Sequence, residues 1–127
     1  MSVLRSTVVF YVADIEKSQA FYNALFGCHP VQASGEFVLY LVHDGLTFGI
    51  WKQSAVIPTI TPDSTLPSKN QGELCLFVDD QDAFQQMHQH CLLNELPILQ
   101  EPAVMDFATA FTVTDPDGYR IRYAIGK

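Results

Sequence analysis

The chain has few cysteines and few basic residues, and each shortage argues against a class of protein. Its 127 residues include three cysteines, an odd number, and their positions (28, 75 and 91) show no metal-ligand spacing. We therefore expect free thiols in a reducing cytoplasm. Seven Lys and Arg stand against fourteen Asp and Glu, which gives a net charge of −7. Without a basic patch to neutralise phosphates, nucleic acids and anionic membranes are not expected partners.

Long apolar runs are also missing. No stretch approaches the ~18 consecutive apolar residues of a membrane-spanning helix, and the chain does not open on a charged and then apolar leader. We expect neither a membrane span nor a signal peptide. The length is enough for one domain that buries a core of its own.

The clearest local pattern lies between residues 111 and 125. Residues 111–114 favour extended backbone, and Pro116 with Asp117-Gly118 supplies a tight turn. In the strand that follows, apolar residues alternate with Arg120 and Arg122, so one face is apolar and the other carries two guanidinium groups. Because the whole chain has only three arginines, this pair marks a candidate site.

The order strand, helix, hairpin occurs twice. Asp14 is a helix N-cap in the first half and Asp79 or Asp80 in the second, and Asp44-Gly45 is matched by Asp117-Gly118 as a hairpin turn. We predict an α+β fold of two tandem βαβββ modules whose curved mixed sheets surround a concave cavity, with the helices on the convex side. One domain, 1–127, would consist of module 1 (5–52), a proline-containing linker (53–71) and module 2 (72–127). Strands are predicted at 7–12, 37–42, 46–51, 73–78, 97–99, 107–114 and 120–125.

Two segments carry a family resemblance. Residues Phe10–Tyr22 and Asp115–Tyr123 resemble the two signatures of the vicinal oxygen chelate superfamily, which includes glyoxalase I, extradiol dioxygenases and bleomycin-resistance proteins. The resemblance covers nearly the whole chain except the linker. It implies the fold but not an activity, because this scaffold hosts both metalloenzymes and metal-free binders. Phe48–Trp51, Glu101-Pro102 and the final turn are similar to the phenazine antibiotic-resistance type, which binds a drug without a metal.

The resemblance also locates the positions of a possible metal site. Metalloenzymes of the superfamily place His or Glu at four positions that correspond here to Thr7, Gly49, Glu73 and Arg122. A divalent ion needs three or four oxygen or nitrogen donors, and a guanidinium has no acceptor. We therefore expect no metal, no cofactor and no catalytic residues. His88 and His90, two apart on a helix, do not share a face and are expected on the solvated surface.

The alternation of side chains along the predicted strands also predicts an aromatic slot on the concave face. Trp51 lies beside Gly49, whose missing side chain leaves room for a flat ring against the indole, and Arg120 and Arg122 provide a cationic end. The alternative is that Trp51 only fills the concavity and that Glu73 pairs with Arg122. The predicted ligand-binding residues are Trp51, Gly49, Arg122, Arg120, Glu73, Thr7, Tyr40 and Phe107.

The favoured function is metal-free sequestration of a planar aromatic, possibly anionic toxin or antibiotic such as a phenazine. One alternative is an enzyme of the same superfamily, a glyoxalase-like lyase or dioxygenase with a non-standard site, in which Glu73 acts as base and the arginines stabilise an oxyanion. Another is a relative with an interaction role alone. The resemblance further implies a homodimer whose sites combine Trp51 of one chain with Arg120 and Arg122 of the other.

Overall fold

The computed structural model describes residues 3–60, 72–106 and 108–126. Phe107 and residues 61–71 of the predicted linker lie outside the described residues. The chain divides into two compact units, Met1–Asp63 and Ser64–Lys127, and each contains one helix and one four-stranded mixed sheet. The predicted α+β class and the two βαβββ modules are confirmed. Within the described ranges, no helix is long and apolar enough to cross a membrane.

The first unit has one short strand that the sequence does not predict. Its elements are β1 (Ser6–Val12), α1 (Ile15–Phe26), β2 (Gln32–Ala33), β3 (Phe37–His43) and β4 (Leu46–Lys52). The sheet order is β1-β4-β3-β2, with β1 and β4 parallel and the other pairs antiparallel. With two residues, β2 is too short to show an alternation. A turn of 3-10 helix, Gln53–Ala55, follows β4.

Helix α1 begins and ends where its sequence indicates. The Asp14 side chain accepts the N–H of Lys17 at 3.1 Å, and Gly27 ends the helix in the left-handed conformation at φ 64°. The buried side of the helix packs on β3 and β4, where the ring of Tyr22 lies 4.7 Å from that of Phe48. The helix thereby covers one face of the sheet, and the other face has no helix on it.

The second unit repeats this plan with five elements. They are β5 (Glu73–Phe77), α2 (Gln81–Leu93), β6 (Ile98–Val104), β7 (Ala108–Thr114) and β8 (Arg120–Gly126). The sheet order is β5-β8-β7-β6, again with one parallel pair, β5 with β8. Strand β6 extends five residues beyond the C-terminal end of the predicted segment 97–99, since Val104 rather than Leu99 ends it.

Helix α2 also follows its sequence signals. Asp80 caps it, because its side chain accepts the N–H of Ala83 at 2.8 Å. The helix buries Phe84 and Cys91, and the Phe84 ring lies 5.5 Å from that of Phe111 in β7. The face of the sheet that carries Phe111 is therefore the one that the helix covers.

Candidate functional site

The face of the first sheet turned away from α1 carries the predicted residues Thr7, Gly49 and Trp51. Alternation in a strand sends successive side chains to opposite faces, and paired residues of neighbouring strands share a face. The parallel register pairs Thr7 with Thr47, Val9 with Gly49 and Tyr11 with Trp51. We call this the first helix-free face. Phe37 joins it because β3 pairs Phe37 with Trp51.

Trp51 lies between two other aromatic rings on this face. The ring centroid of Phe37 is 5.9 Å from the indole at an interplanar angle of 87°, and that of Tyr11 is 6.3 Å away at 75°. Both contacts are edge-to-face, so neither ring is stacked on the indole. Trp51 is half-buried and Tyr11 is 39% exposed. The three rings form an accessible aromatic cluster, made of Tyr11, Trp51 and Phe37.

The predicted space at Gly49 is occupied by the chain itself, which corrects the slot predicted from the sequence. A Cβ at Gly49 would lie 2.8 Å from Cζ of Phe37, 3.1 Å from its Cε2 and 3.5 Å from Cγ2 of Val9. Real Cβ atoms do not approach carbon atoms at 2.8 Å. Gly49 therefore makes room for Phe37, and the ring that lies there meets Trp51 with its planes nearly perpendicular rather than stacked.

Tyr40 does not belong to this face, and its prediction as a ligand-binding residue is corrected. It pairs with Phe48, lies under α1 and is fully buried. Its hydroxyl donates to Oδ1 of Asn23 at 2.6 Å and to the carbonyl oxygen of Gln19 at 3.2 Å. Burial raises the pKa of Tyr40 above its ordinary value, with a smaller contribution from Cys28. This placement could have been predicted from the alternation of side chains along β3. Tyr40 is three residues from Phe37 and therefore points to the opposite face of the sheet.

Thr7 forms a polar pair on the first helix-free face. Its hydroxyl oxygen lies 2.6 Å from that of Thr47, and either hydroxyl can donate. Tyr11 is four residues further along β1, a separation of about 13 Å in an extended strand. Thr7 is exposed and lies on the first helix-free face, but away from the aromatic cluster.

The second sheet presents its charged residues on the face turned away from α2, which we call the second helix-free face. The parallel pairing of β5 and β8 sets Glu73 opposite Arg120 and Cys75 opposite Arg122. On the other side of β8, Thr112 is opposite Arg122. The predicted residues Glu73, Arg120 and Arg122 therefore share this face.

Arg122 and Glu73 form a two-bonded ion pair. Nε of Arg122 donates to Oε2 of Glu73 at 2.6 Å, and Nη2 donates to Oε1 at 3.0 Å. The Arg122 side chain is 11% exposed and that of Glu73 30%. These hydrogen bonds are the main reason that the pKa of Arg122 is raised, and burial opposes them. The paired fork geometry fixes the orientation of the guanidinium.

Three further residues extend this pair into a network. Nη1 of Arg122 donates to Oε1 of Gln100 at 2.9 Å and lies 3.4 Å from Sδ of Met105. The Thr112 hydroxyl donates to the same Gln100 oxygen at 3.0 Å. The sequence reasoning missed Gln100, Met105 and Thr112. The opposition of Thr112 to Arg122 could have been inferred from the hairpin register around Asp117-Gly118.

Arg120 and Cys75 complete the second helix-free face. Arg120 is exposed, and no carboxylate of the described ranges forms an ion pair with it. Cys75 is half-buried beside the fully buried Ala110 and Ala124. Burial raises the pKa of Cys75, and the Glu73 charge adds to this while Arg122 opposes it. The Cys75 thiol is therefore held protonated and is a poor nucleophile.

His88 is not a solvated residue, contrary to the expectation from sequence. Its side chain is 18% exposed, its ring lies 5.1 Å from that of Phe111, and its Nε2 is 3.5 Å from Oε1 of Glu101. His88 therefore packs on the side of the sheet that α2 covers. It contributes to neither helix-free face.

The residues at the four positions implied by the resemblance do not fit a divalent metal ion. Thr7 offers a hydroxyl, Gly49 no side chain and Arg122 a cation, while both carboxylate oxygens of Glu73 accept hydrogen bonds from Arg122. The described residues include no group of three or more His, Cys, Asp or Glu that could hold a metal. Such an ion requires three or four oxygen or nitrogen atoms that can donate a lone pair.

Comparison with known proteins gives consistent matches over most of the chain. A family model described as the Glyoxalase/Bleomycin resistance protein/Dioxygenase superfamily matches residues 5–123. The chain is 27% identical over 113 residues to the phenazine antibiotic resistance protein EhpR of Enterobacter agglomerans. The aligned residues make up 88% of this chain and 84% of that protein.

Solved structures share the fold. The solution NMR structure of protein ATC0852 from Agrobacterium tumefaciens matches with a TM-score of 0.77 at 28% identity, covering 97% of both chains. Lactoylglutathione lyase from the same organism matches with a TM-score of 0.73, covering 94% of this chain and 91% of that one. Its identity of 18% shows a common fold and no more.

Proposed function

Because the chain belongs to the glyoxalase/bleomycin resistance protein/dioxygenase superfamily, we propose that it is a drug-resistance type of binding protein that sequesters a planar aromatic compound without a metal. The observation that carries the proposal is the cluster of Tyr11, Trp51 and Phe37 on the first helix-free face. Large aromatic side chains are normally covered in a core, whereas this cluster leaves Trp51 half-buried and Tyr11 exposed.

The cluster suits a flat ring because stacking on the indole is still available. Phe37 and Tyr11 meet Trp51 edge-to-face, and an additional aromatic ring in a stacked position would gain about 0.5–1.5 kcal/mol beyond its area burial. The name of the relative from Enterobacter agglomerans, a phenazine antibiotic resistance protein, supports a tricyclic aromatic as the first compound to test. The exposed Arg120 of the second unit is by itself a suitable partner for an anionic group.

The state of Glu73 supports binding over catalysis. An enzyme that uses Glu73 as general base has to turn this carboxylate towards its substrate. Both oxygens accept hydrogen bonds from Arg122 at 2.6 and 3.0 Å. Glu73 is also the only carboxylate at the four metal-ligand positions, and it is paired with Arg122. The proposed binding therefore requires no metal.

We also propose that the protein is a cytoplasmic homodimer. Strands β1 and β5 each lie at an edge of their sheet, and edge strands with exposed apolar side chains such as Tyr11 and Phe77 favour pairing with another chain. The three thiols, none in a disulfide, suit a reducing cytoplasm. Light scattering should give twice the 14.2 kDa of one chain, and the mass of one chain at micromolar concentration would reject the dimer.

A thermal-unfolding screen in the presence of a chelator tests the proposed function. Phenazine, phenazine-1-carboxylate and the non-planar cyclohexane carboxylate would be compared with Zn²⁺, Ni²⁺ and Mn²⁺ added without chelator. A ligand at 100 times its dissociation constant should stabilise the fold by about 2.7 kcal/mol. Stabilisation by the planar compounds alone is the expected result. Stabilisation by a metal and by none of the planar compounds would contradict the proposal.

A further inference from the structure

Two side chains of the second helix-free face donate to the sulfur of Met105. Nη1 of Arg122 lies 3.4 Å from Sδ of Met105, and Nε2 of Gln100 lies 3.6 Å from it. A guanidinium and an amide nitrogen are donors, whereas a thioether sulfur is only a weak acceptor. The two N–H groups therefore converge on an atom that accepts from them poorly.

A bulge in strand β6 brings Gln100 to this position. The register pairs Ile98 with Val113 and Gln100 with Thr112. From one pair to the next, β6 advances two residues while β7 advances one. Strict alternation would keep Gln100 on the side of Ile98 and the buried Val113. The extra residue turns Gln100 to the face that carries Arg122, and bulges of this kind are frequent beside functional sites.

The surrounding side chains determine which end of the Gln100 amide faces the sulfur. Nη1 of Arg122 lies 2.9 Å from one end of the amide, and arginine can only donate, so that end must be the oxygen. The Thr112 hydroxyl donates to the same oxygen at 3.0 Å. The end that faces Met105 is therefore the nitrogen, which carries two hydrogens. Two strong hydrogen bonds at the oxygen hold it in this direction.

Met105 is fixed by its neighbours but is not sealed from solvent. It follows β6 directly, and its backbone N–H donates to the carbonyl oxygen of Ala108 at 2.8 Å. Its side chain packs, as that of Cys75 does, against the buried Ala108, Ala110 and Ala124. Met105 is half-buried, so part of it remains accessible to small solutes such as peroxide.

We propose that Met105 is a site of reversible oxidation, at which hydrogen peroxide converts the thioether to a sulfoxide that Arg122 and Gln100 hold. A lone pair of the sulfur attacks one peroxide oxygen, and the O–O bond breaks. The other oxygen leaves as hydroxide, takes up the proton of the transferred oxygen and becomes water. The sulfur loses two electrons, peroxide gains them, and methionine sulfoxide reductases reverse the change. This site belongs to the second unit alone and does not depend on the proposed function.

The two donors favour both the reaction and its product. As the O–O bond breaks, negative charge develops on the oxygens beside the sulfur, and donors already aimed at that place stabilise it. The sulfoxide oxygen is then a much stronger acceptor than the thioether was. A sulfoxide in apolar surroundings disrupts packing. At Met105 it would instead give the N–H groups of Arg122 and Gln100 the acceptor that they lack.

Met87 provides a comparison within the same protein. It is half-buried in α2, and in the described part of the chain no hydrogen bond reaches its sulfur. In dilute hydrogen peroxide, Met105 should be oxidised about tenfold faster than Met87, the factor expected for one hydrogen bond in the transition state. Peptide mass spectrometry measures the two rates and separates them from oxidation of the cysteines.

Gln100→Glu removes the donor while keeping an oxygen for Arg122 and Thr112. The oxidation rate of Met105 should fall about fivefold, because a carboxylate has no hydrogen to donate and its charge opposes the departing hydroxide. Gln53→Glu is the matched control, since Gln53 is an exposed residue of the first unit and undergoes the same change of charge. It should leave the rate at Met105 as in the wild type.

The stability of the oxidised protein tests whether the network holds the sulfoxide. A Met87→Leu background, a volume-conserving change, removes Met87 as a second source of sulfoxide. Treatment with peroxide and then with a thiol reductant leaves the sulfoxide of Met105, while disulfides and sulfenic acids of the cysteines are reversed. With Gln100 present, the midpoint of thermal unfolding should stay level or rise. With Gln100→Glu it should fall by a few degrees, because the new oxygen then lies beside a carboxylate.

Three results would overturn the proposal. They are oxidation of Met105 no faster than that of Met87, a rate that Gln100→Glu leaves unchanged, and a lower unfolding midpoint of the oxidised protein with Gln100 present. Should Gln100→Glu not fold, the side-chain amide signals of Gln100 in wild-type protein decide the matter by NMR. They should shift when Met105 is converted to the sulfoxide, and an absence of shift overturns the proposal. None of these results bears on the binding of an aromatic compound.

Discussion

The guanidinium of Arg122 and the carboxylate of Glu73 are joined by two hydrogen bonds, of 2.6 and 3.0 Å, across the parallel strands β8 and β5. Both oxygens of Glu73 accept from Arg122, and Arg122 also donates to the side-chain oxygen of Gln100. The pair thus stabilises a polar network on the second helix-free face, at two of the four positions where, by the resemblance, metalloenzymes of the superfamily place their ligands. Arg122 cannot act as such a ligand, because it has no acceptor.

Removing the charge of Glu73 should destabilise the fold. Glu73→Gln leaves the mostly buried Arg122 without its anion, and we expect a loss of about 1–3 kcal/mol, between the values for exposed and buried pairs. Glu36→Gln is the matched control, because Glu36 is an exposed carboxylate in a turn of the first unit. Urea unfolding of both variants measures the difference. Equal stabilities of the two variants would mean that the pair contributes nothing.

The close approach of Phe37 to Gly49 predicts a coupled pair of mutations. Gly49→Ala introduces a Cβ 2.8 Å from the Phe37 ring and should cost about 1–3 kcal/mol by overpacking. In a Phe37→Ala background the ring is gone, and the same Gly49→Ala change should cost little or stabilise, because alanine suits a strand interior better than glycine. A double-mutant cycle in urea measures the coupling. Additive effects would show that Phe37 does not fill the space at Gly49.

The buried thiol of Cys91 predicts a loss of stability at alkaline pH. Burial raises the pKa of Cys91 to about 11. The unfolded chain ionises at a lower pH, near the ordinary cysteine value of about 8.5, so the folded state holds the proton over the interval between the two. The stabilising effect is therefore complete below the unfolded pKa and is lost as the pH rises through the folded one.

Cys91→Ala removes this dependence. Between pH 8 and pH 11, wild-type protein should lose about 1–3 kcal/mol of unfolding free energy more than the variant does. Cys28→Ala is the control, because Cys28 is exposed. Urea unfolding at each pH gives the comparison. Parallel curves for wild type and Cys91→Ala would contradict the assignment.

The elements that the sequence predicts well are those determined by local chemistry. The caps at Asp14 and Asp80 and the helix end at Gly27 depend on one or two neighbouring residues, and so do the turns at Asp44-Gly45 and Asp117-Gly118. The repeat of these signals was enough to indicate two βαβββ modules. The faces of Trp51, Glu73 and Arg122 also follow from alternation counted from those turns.

The features that the sequence does not predict depend on irregularity or on packing. Gln100 reaches Arg122 through a bulge, which breaks the alternation from which faces are inferred. The ring that fills the space at Gly49 comes from Phe37 on another strand, and a glycine alone does not indicate what approaches it. Tyr40 is different, because the alternation along β3 sends it to the face that α1 covers, and the prediction followed its aromatic character instead of that signal.

The central claim is that a planar aromatic compound binds at Trp51 without a metal. Trp51 is the only tryptophan, so its fluorescence reports on this position alone. Adding phenazine in the presence of a chelator should quench it in a saturable way, after correction for absorption by phenazine. By calorimetry, Trp51→Ala should weaken the binding of phenazine by roughly 1–3 kcal/mol, while Leu93→Ala, a change at an exposed residue of α2, should not. Unquenched fluorescence, or an unchanged affinity in Trp51→Ala, would contradict the account.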